Sequence, residues 1–130
     1  MDERLERYAE LVVRVGANVQ PGQEVFLLSA VEHHELTRAL ARQAYRAGAS
    51  YVHVLYNDAH TRRAMIELGP DEALTYSPEW QKAFVSSMSG NAMIATTGDP
   101  EPELLADLDG ERVGRAVPQE IVQIRVQQVT

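Results

Sequence analysis

The stretch from Gln23 to Tyr56, QEVFLLSAVEHHELTRALARQAYRAGASYVHVLY, constrains the fold more than any other. Glu24–Ala30 is an apolar run of strand length. Leu36–Ala47 carries Leu36, Ala39, Leu40, Ala44 and Ala47 at helical spacing, and Tyr51–Tyr56 is a second run rich in β-branched and aromatic side chains. Strand, helix, strand in this order predicts a crossover unit with the two strands as parallel neighbours. Ser29-Ala30-Val31-Glu32 fits a capping box at the start of the helix, and Gly48 falls where a left-handed C-cap is needed. Both strands are apolar without strict alternation, which predicts a sheet covered on both faces.

A chain of 130 residues accommodates one domain with a real core. The expected class is α/β: three layers, with a mainly parallel sheet of at least three strands and helices on both faces. A net charge of −7 argues against a nucleic-acid or anionic-membrane partner. Without cysteine there is no disulfide, thiol nucleophile or thiolate metal site, and no apolar run approaches the roughly 18 residues that span a bilayer. Met1-Asp2-Glu3-Arg4 is unlike a signal or transit peptide.

Ahead of the central unit, Asp2–Val15 reads as a helix that buries Leu5, Tyr8, Leu11, Val12 and Val15, exposes Glu3, Glu6, Arg7, Glu10 and Arg14, and ends at Gly16. Gln20–Gln23 is a turn. After the unit, Asn57-Asp58 is a turn or N-cap, and Thr61–Leu68 a helix with Ala64, Met65 and Leu68 inward, closed by Gly69-Pro70. Asp71–Leu74 is a single helical turn. Ser77-Pro78-Glu79 reads as a helix start with Ser77 as cap, leading to an apolar stripe of Trp80, Phe84, Val85 and Met88 that Gly90 ends. Asn91–Thr97 is a third strand, Pro100–Leu105 a short helix, and Asp109–Ala116 a further helical turn or two.

Recognisable catalytic motifs are absent. The sequence has no P-loop, no G-x-G-x-x-G and no G-x-S-x-G. His33 and His34 follow the first strand, and Asp58 and His60 follow the second. In an open α/β sheet the carboxyl ends of the strands form the functional edge, so Ser29, Glu32, His33, Asp58 and His60 are candidates for a polar rim there. The competing reading is capping and solvation of two first helical turns. Adjacent histidines on a helix diverge by about 100° and cannot both grip one metal. His53, inside the second strand, reads as a satisfied core histidine. Arg38, Arg42 and Arg46 form an i,i+4 stripe, read as a solvated helix face or as a surface for an acidic partner.

Several motifs together carry a family resemblance. The opening L-x-x-Y-A-x-L-x-V-x-x-G is met by Leu5, Tyr8, Ala9, Leu11, Val13 and Gly16. It is followed by N-V-Q-P-G-Q-x-V at Asn18–Val25 and A-Y-R-A-G-A-x-Y-V-x-V at Ala44–Val54. DPEPELL at Asp99–Leu105 and D-x-E-R-V at Asp109–Val113 continue the pattern. Over Met1 to Ala116 the chain resembles the amino-terminal domain of the thermophilic metallo-aminopeptidases.

The resemblance implies a cytoplasmic, homodimeric exopeptidase whose full-length form uses divalent ions (zinc, cobalt or magnesium). Two such ions activate a water that attacks the first peptide bond of a peptide substrate. It also implies that the metal ligands belong to a second, catalytic domain. No ligand of that family can be carried onto His33, His34, His53 or His60, so no catalytic, cofactor or metal residue is assigned here, and the chain alone is expected to be inactive. The alternative is a non-catalytic α/β binding or dimerisation module, since open α/β sheets host both. Residues 117–130, VPQEIVQIRVQQVT, depart from the family pattern: Pro118 interrupts a helix, while Val122, Ile124 and Val126 alternate like a strand.

Overall fold

The structure, a computed structural model, describes residues 2–96 and 103–116. Met1, residues 97–102 and the divergent tail from 117 onward lie outside them, and so do Thr97 of the third strand and the start of the Pro100–Leu105 helix. The described residues form two compact units, one of residues 2–57 and 90–96, the other of residues 58–89 and 103–116.

The first unit holds the sheet. β1 (Glu24–Ala30) lies between β2 (Tyr51–Asn57) and β3 (Ala92–Ala95), and both pairings are parallel. Register runs from Glu24↔Tyr51 to Ala30↔Asn57 on one side and from Val25↔Ala92 to Leu28↔Ala95 on the other. β3 has four residues, and side chains extend its pairing at both ends. Asn91 Oδ1 accepts the Glu24 N–H at 3.1 Å, and Thr96 Oγ1 accepts the Ala30 N–H at 3.1 Å. Val25, Phe26 and Leu27 are all at most 1% exposed. Successive residues of a strand face opposite ways, so both faces of β1 are covered, as the expected α/β class requires.

The expectation for the second strand is corrected. Among the described strands β2 lies at the edge, and Tyr51, Val54 and Tyr56 are exposed. A β-branched, aromatic run suits an edge as well as a centre, and its neighbours decide which it becomes. On the face opposite Val25 and Leu27, His53 stacks on Phe26 with ring centroids 4.5 Å apart, and its Nε2 lies 2.7 Å from Glu24 Oε1. It is a half-buried sheet-face histidine rather than a core one.

β1 leads through a tight turn (Val31–His33) into α2 (His34–Arg46), which buries Thr37, Ala39, Leu40, Gln43 and Ala44. The helix stops in a Schellman motif: Ala49 N–H reaches Ala44 O at 3.0 Å and Gly48 N–H reaches Tyr45 O at 3.0 Å. Gly48 has φ +100°, and a Cβ there would meet Pro21 at 3.1 Å, so both the conformation and the close approach exclude a side chain.

The capping box is not formed. β1 continues through Ala30, which turns Ser29 into the core at 1% exposure, and the start of α2 has no side-chain cap. Four residues that match S-x-x-E end a strand here instead of starting a helix.

α1 (Glu3–Leu11) starts at Asp2, whose Oδ1 accepts the Arg4 and Leu5 N–H groups, and continues as a wider π turn over Val12–Gly16. Its buried face is corrected. Ala9 and Val13 are fully buried, with Leu5 and Val12 packed beside them, while Tyr8, Leu11 and Val15 are exposed. A small residue at position 9 lets α1 approach α2 closely, which shifts the contact face off the bulkier stripe. The helical segment ends at Gly16, as expected, with Ala17 in the cap position, and Asn18 just beyond takes a positive φ of +49°.

Glu6 is not solvated either. It accepts from Arg42 Nε at 2.6 Å, from Arg42 Nη2 and from Gln43 Nε2 at 2.7 Å. Its side chain is 12% exposed, and the pair ties α1 to α2. Arg42 is thereby withdrawn from the solvated arginine stripe.

In the second unit Asp58 caps α3 (Ala59–Leu68), with Oδ1 accepting the His60 N–H at 3.1 Å and Oδ2 accepting the Thr61 hydroxyl at 2.9 Å. Its inward residues are Met65 and Ile66, not Ala64 and Leu68; Leu68 is 80% exposed. Ile66, Leu74 of α4 (Asp71–Leu74) and Ala116 form a small core with Leu105, Leu108 and Val113. Asp109 caps α6 (Gly110–Arg115), and Arg112 of that helix donates to the Ile66 and Gly69 carbonyls closing α3, at 2.8 and 2.9 Å. Arg63 grips Asp107 through two bonds at 2.6 and 2.9 Å, and these hold the Asp107 carboxyl below its usual range.

α5 (Glu79–Ser86) buries Val85, with Met88 just beyond its end. Phe84 is half-buried, and Trp80 is 59% exposed, contrary to expectation. Ser77 does not cap this helix; its Oγ is buried without a hydrogen-bond partner among the described residues.

The clamp on Glu6 gives a pH signature. Hydrogen bonds from Gln43 and then Arg42 hold its carboxyl below the ordinary carboxylate value. Such a group stabilises the fold when ionised, above the unfolded pKa of about 4.3, and that contribution is lost as pH falls through the lowered folded value. The melting temperature of wild type should therefore exceed that of Glu6→Gln at pH 7, with the gap closing as pH falls below about 4. Thermal denaturation of both chains across that range checks it.

Candidate functional site

The carboxyl edge of the sheet is where an open parallel sheet places its ligands, above all where neighbouring strands send their chains in opposite directions. Here β1 feeds α2 toward β2, and β3 lies on its other side. The reversal of strand order therefore falls between β1 and β3. A cavity of about 260 Å³ opens at that end of the sheet. Val12, Leu36, Leu40 and Ile94 give it an apolar wall, and His33 and Thr96 bring polar groups.

The polar groups are held from behind. Thr37 Oγ1 lies 2.8 Å from Ser29 Oγ and 2.8 Å from the His33 carbonyl. Thr37 has one proton and the carbonyl can only accept, so Thr37 donates to His33 O and takes the Ser29 proton. This buried chain fixes the backbone of His33 against the end of β1. The His33 ring is half-buried, and its Nδ1 is buried with no hydrogen-bond partner among the described residues. Thr96 Oγ1 accepts the Ala30 N–H, which leaves its own proton to be donated.

The predicted rim residues are placed as follows. Ser29 is buried behind the edge, Glu32 is exposed on the tight turn, and His33 lines the cavity. Asp58 and His60 belong to the other unit, where Asp58 caps α3 and His60 is exposed on its first turn. Sequence reasoning missed Thr37 and Thr96. A threonine four residues after His33 inside a helix could have signalled the bond back to the preceding turn. Among the described residues no group of three or more His, Asp and Glu could hold a metal ion. The donor set described here does not fit a metal centre.

Fold and edge together define an α/β protein with a parallel sheet and a crevice at its strand-order reversal. Comparison with known proteins makes the assignment narrower. Residues 1–124 match the family described as thermophilic metalloprotease (M29), and the chain belongs to that family. It is 40% identical over 117 residues to aminopeptidase T of Thermus thermophilus, a match covering 86% of this chain and 28% of that protein. Aminopeptidase 2 of Geobacillus stearothermophilus is 34% identical over 116 residues, with 88% and 28% covered. The solved structure of wild-type AmpT from Thermus thermophilus superimposes with a TM-score of 0.85 at 35% identity, over 96% of this chain and 32% of that one. The chain thus spans under a third of the length of these relatives and corresponds to an amino-terminal part of them.

Breaking the Ser29–Thr37–His33 chain should be costly, because a buried group then loses its partner. Thr37→Val should lower stability by about 1–3 kcal/mol in urea or thermal denaturation.

Proposed function

We propose that this chain is an amino-terminal part of a metal-dependent aminopeptidase that releases amino-terminal residues from peptides, and that residues 1–130 alone do not catalyse. What carries the reading is the spread of the match. Forty per cent identity over 117 residues reaches across helix, turn and strand, yet takes in 28% of the relative. The full-length protein is read as a homodimer of the cytoplasm, using zinc, cobalt or magnesium, with peptides rather than nucleic acid or membrane as partners.

In this reading the chain's own residues do structural work. The clamp between Glu6 and Arg42, the doubly paired β1 and the hydroxyl chain behind His33 present a fixed sheet edge. No hydrolytic step is assigned to them.

The purified chain, supplied with aminoacyl-nitroanilides and zinc, cobalt or magnesium, should show no hydrolysis above the buffer rate. A rate that scales with protein, vanishes with chelator and survives removal of host peptidases would contradict the proposal.

A further inference from the structure

We propose that the outer face of α1 is a surface on which a second copy of this chain docks, the two helices running antiparallel about a two-fold axis. The full-length protein is read above as a homodimer. The surface proposed here is read from this chain's own helix, and its test contains no hydrolytic step.

The first observation is an apolar row left in water. α1 and the π turn after it bury Ala9 and Val13 against the core, while Tyr8, Leu11 and Val15 are 55, 57 and 71% exposed. These three lie three and four residues apart, so they share one side of the helix. A helix that buries one face normally presents charge on the other, whereas this one carries a second apolar row. An open hollow of about 260 Å³ lies on this side, lined by Arg7, Glu10, Leu11, Arg14 and Val15, all of the same helix and turn.

Charge order selects the occupant. Beside the apolar row run Glu3, Arg7, Glu10 and Arg14, again three and four residues apart and all exposed. Their signs alternate, and Glu10 reaches Arg14 at 3.8 Å along the helix. A partner bearing one sign of charge would meet its like on half of this row. A second copy running the opposite way does not. With the axis passing between Tyr8 and Ala9, Glu3 of each copy comes opposite Arg14 of the other, and Arg7 opposite Glu10. Every facing pair then joins opposite charges. A two-fold contact brings a surface against itself, so it requires a row complementary to its own reverse, and this row is one. The same arrangement sets Tyr8 of each copy beside Leu11 of the other. Val15 comes opposite Arg4, whose aliphatic stem can cover it. One helix face offers less than the roughly 800 Å² per partner of a standard interface, so the dimer should be weak, with a dissociation constant of about 0.1–1 mM.

Sedimentation equilibrium of the complete 130-residue chain over about 0.01–1 mM reads the association. Wild type should pass from monomer toward dimer in this range. Arg7→Glu and Glu10→Arg each set like charges against one another on both sides of the axis, and each should weaken the dimer by about tenfold or more. Mixed in equal amounts, the two variants should associate again with an affinity near that of wild type, because each supplies the charges that the other's row lacks. A structural role of either residue within its own chain would not produce that rescue. Leu11→Ala should also weaken the dimer by about tenfold or more, and it serves if a charge variant does not fold.

A chain that stays monomeric up to about 1 mM, a mixture that associates no more tightly than its two components, or a dimer indifferent to Leu11→Ala would overturn the proposal. A failure here leaves the hydrolysis assay untouched, and hydrolysis by the isolated chain would leave these association data standing.

Discussion

The double pairing of β1 is the constraint on which the first unit depends. A central parallel strand satisfies its backbone groups on both sides, so its residues can be buried on both faces without orphaned N–H or C=O groups. Val25, Phe26 and Leu27 use that freedom fully. β3 provides four residues of pairing, and Asn91 and Thr96 extend it to Glu24 and Ala30 with side-chain oxygens. α2 then lies against the strand through Ala39, Leu40 and Ala44, and α1 reaches the same core through Ala9 and Val13. The glycine at 48, pressed against Pro21, returns the chain so that β2 starts level with Glu24.

Much of this architecture was legible because it is local. β1 runs from Glu24 to Ala30 as its composition predicts, β2 gains only Asn57, and Gly48, Asp58 and Asp71–Leu74 take their expected roles. What escaped depends on partners distant in sequence. Glu6 reads as a solvated acid because Arg42 and Gln43 lie 36 and 37 residues away. Ser29 reads as a cap because S-x-x-E looks the same whether the strand has ended or continues two residues more. Tyr8 offers far more apolar area than Ala9, yet close helix packing selects the smaller side chain.

The candidate site divides along the same line. Position at the strand ends pointed to His33 from the sequence, since strand boundaries were readable. Thr37, Thr96 and the aliphatic wall come from three separate segments, and nothing local announces that Leu36, Leu40 and Ile94 face one space. The family assignment rests on residues spread through the whole of this framework.

If β1 is the keystone, its amides should open only when the unit unfolds as a whole. Native-state hydrogen exchange read residue by residue addresses this directly. The account predicts that the slowest amides of the sheet lie in Val25–Leu28, exchanging with the free energy of global unfolding, while those of the edge strand β2 that face away from β1 exchange faster. Val25–Leu28 amides exchanging as readily as the outward amides of β2, at free energies well below global unfolding, would contradict it.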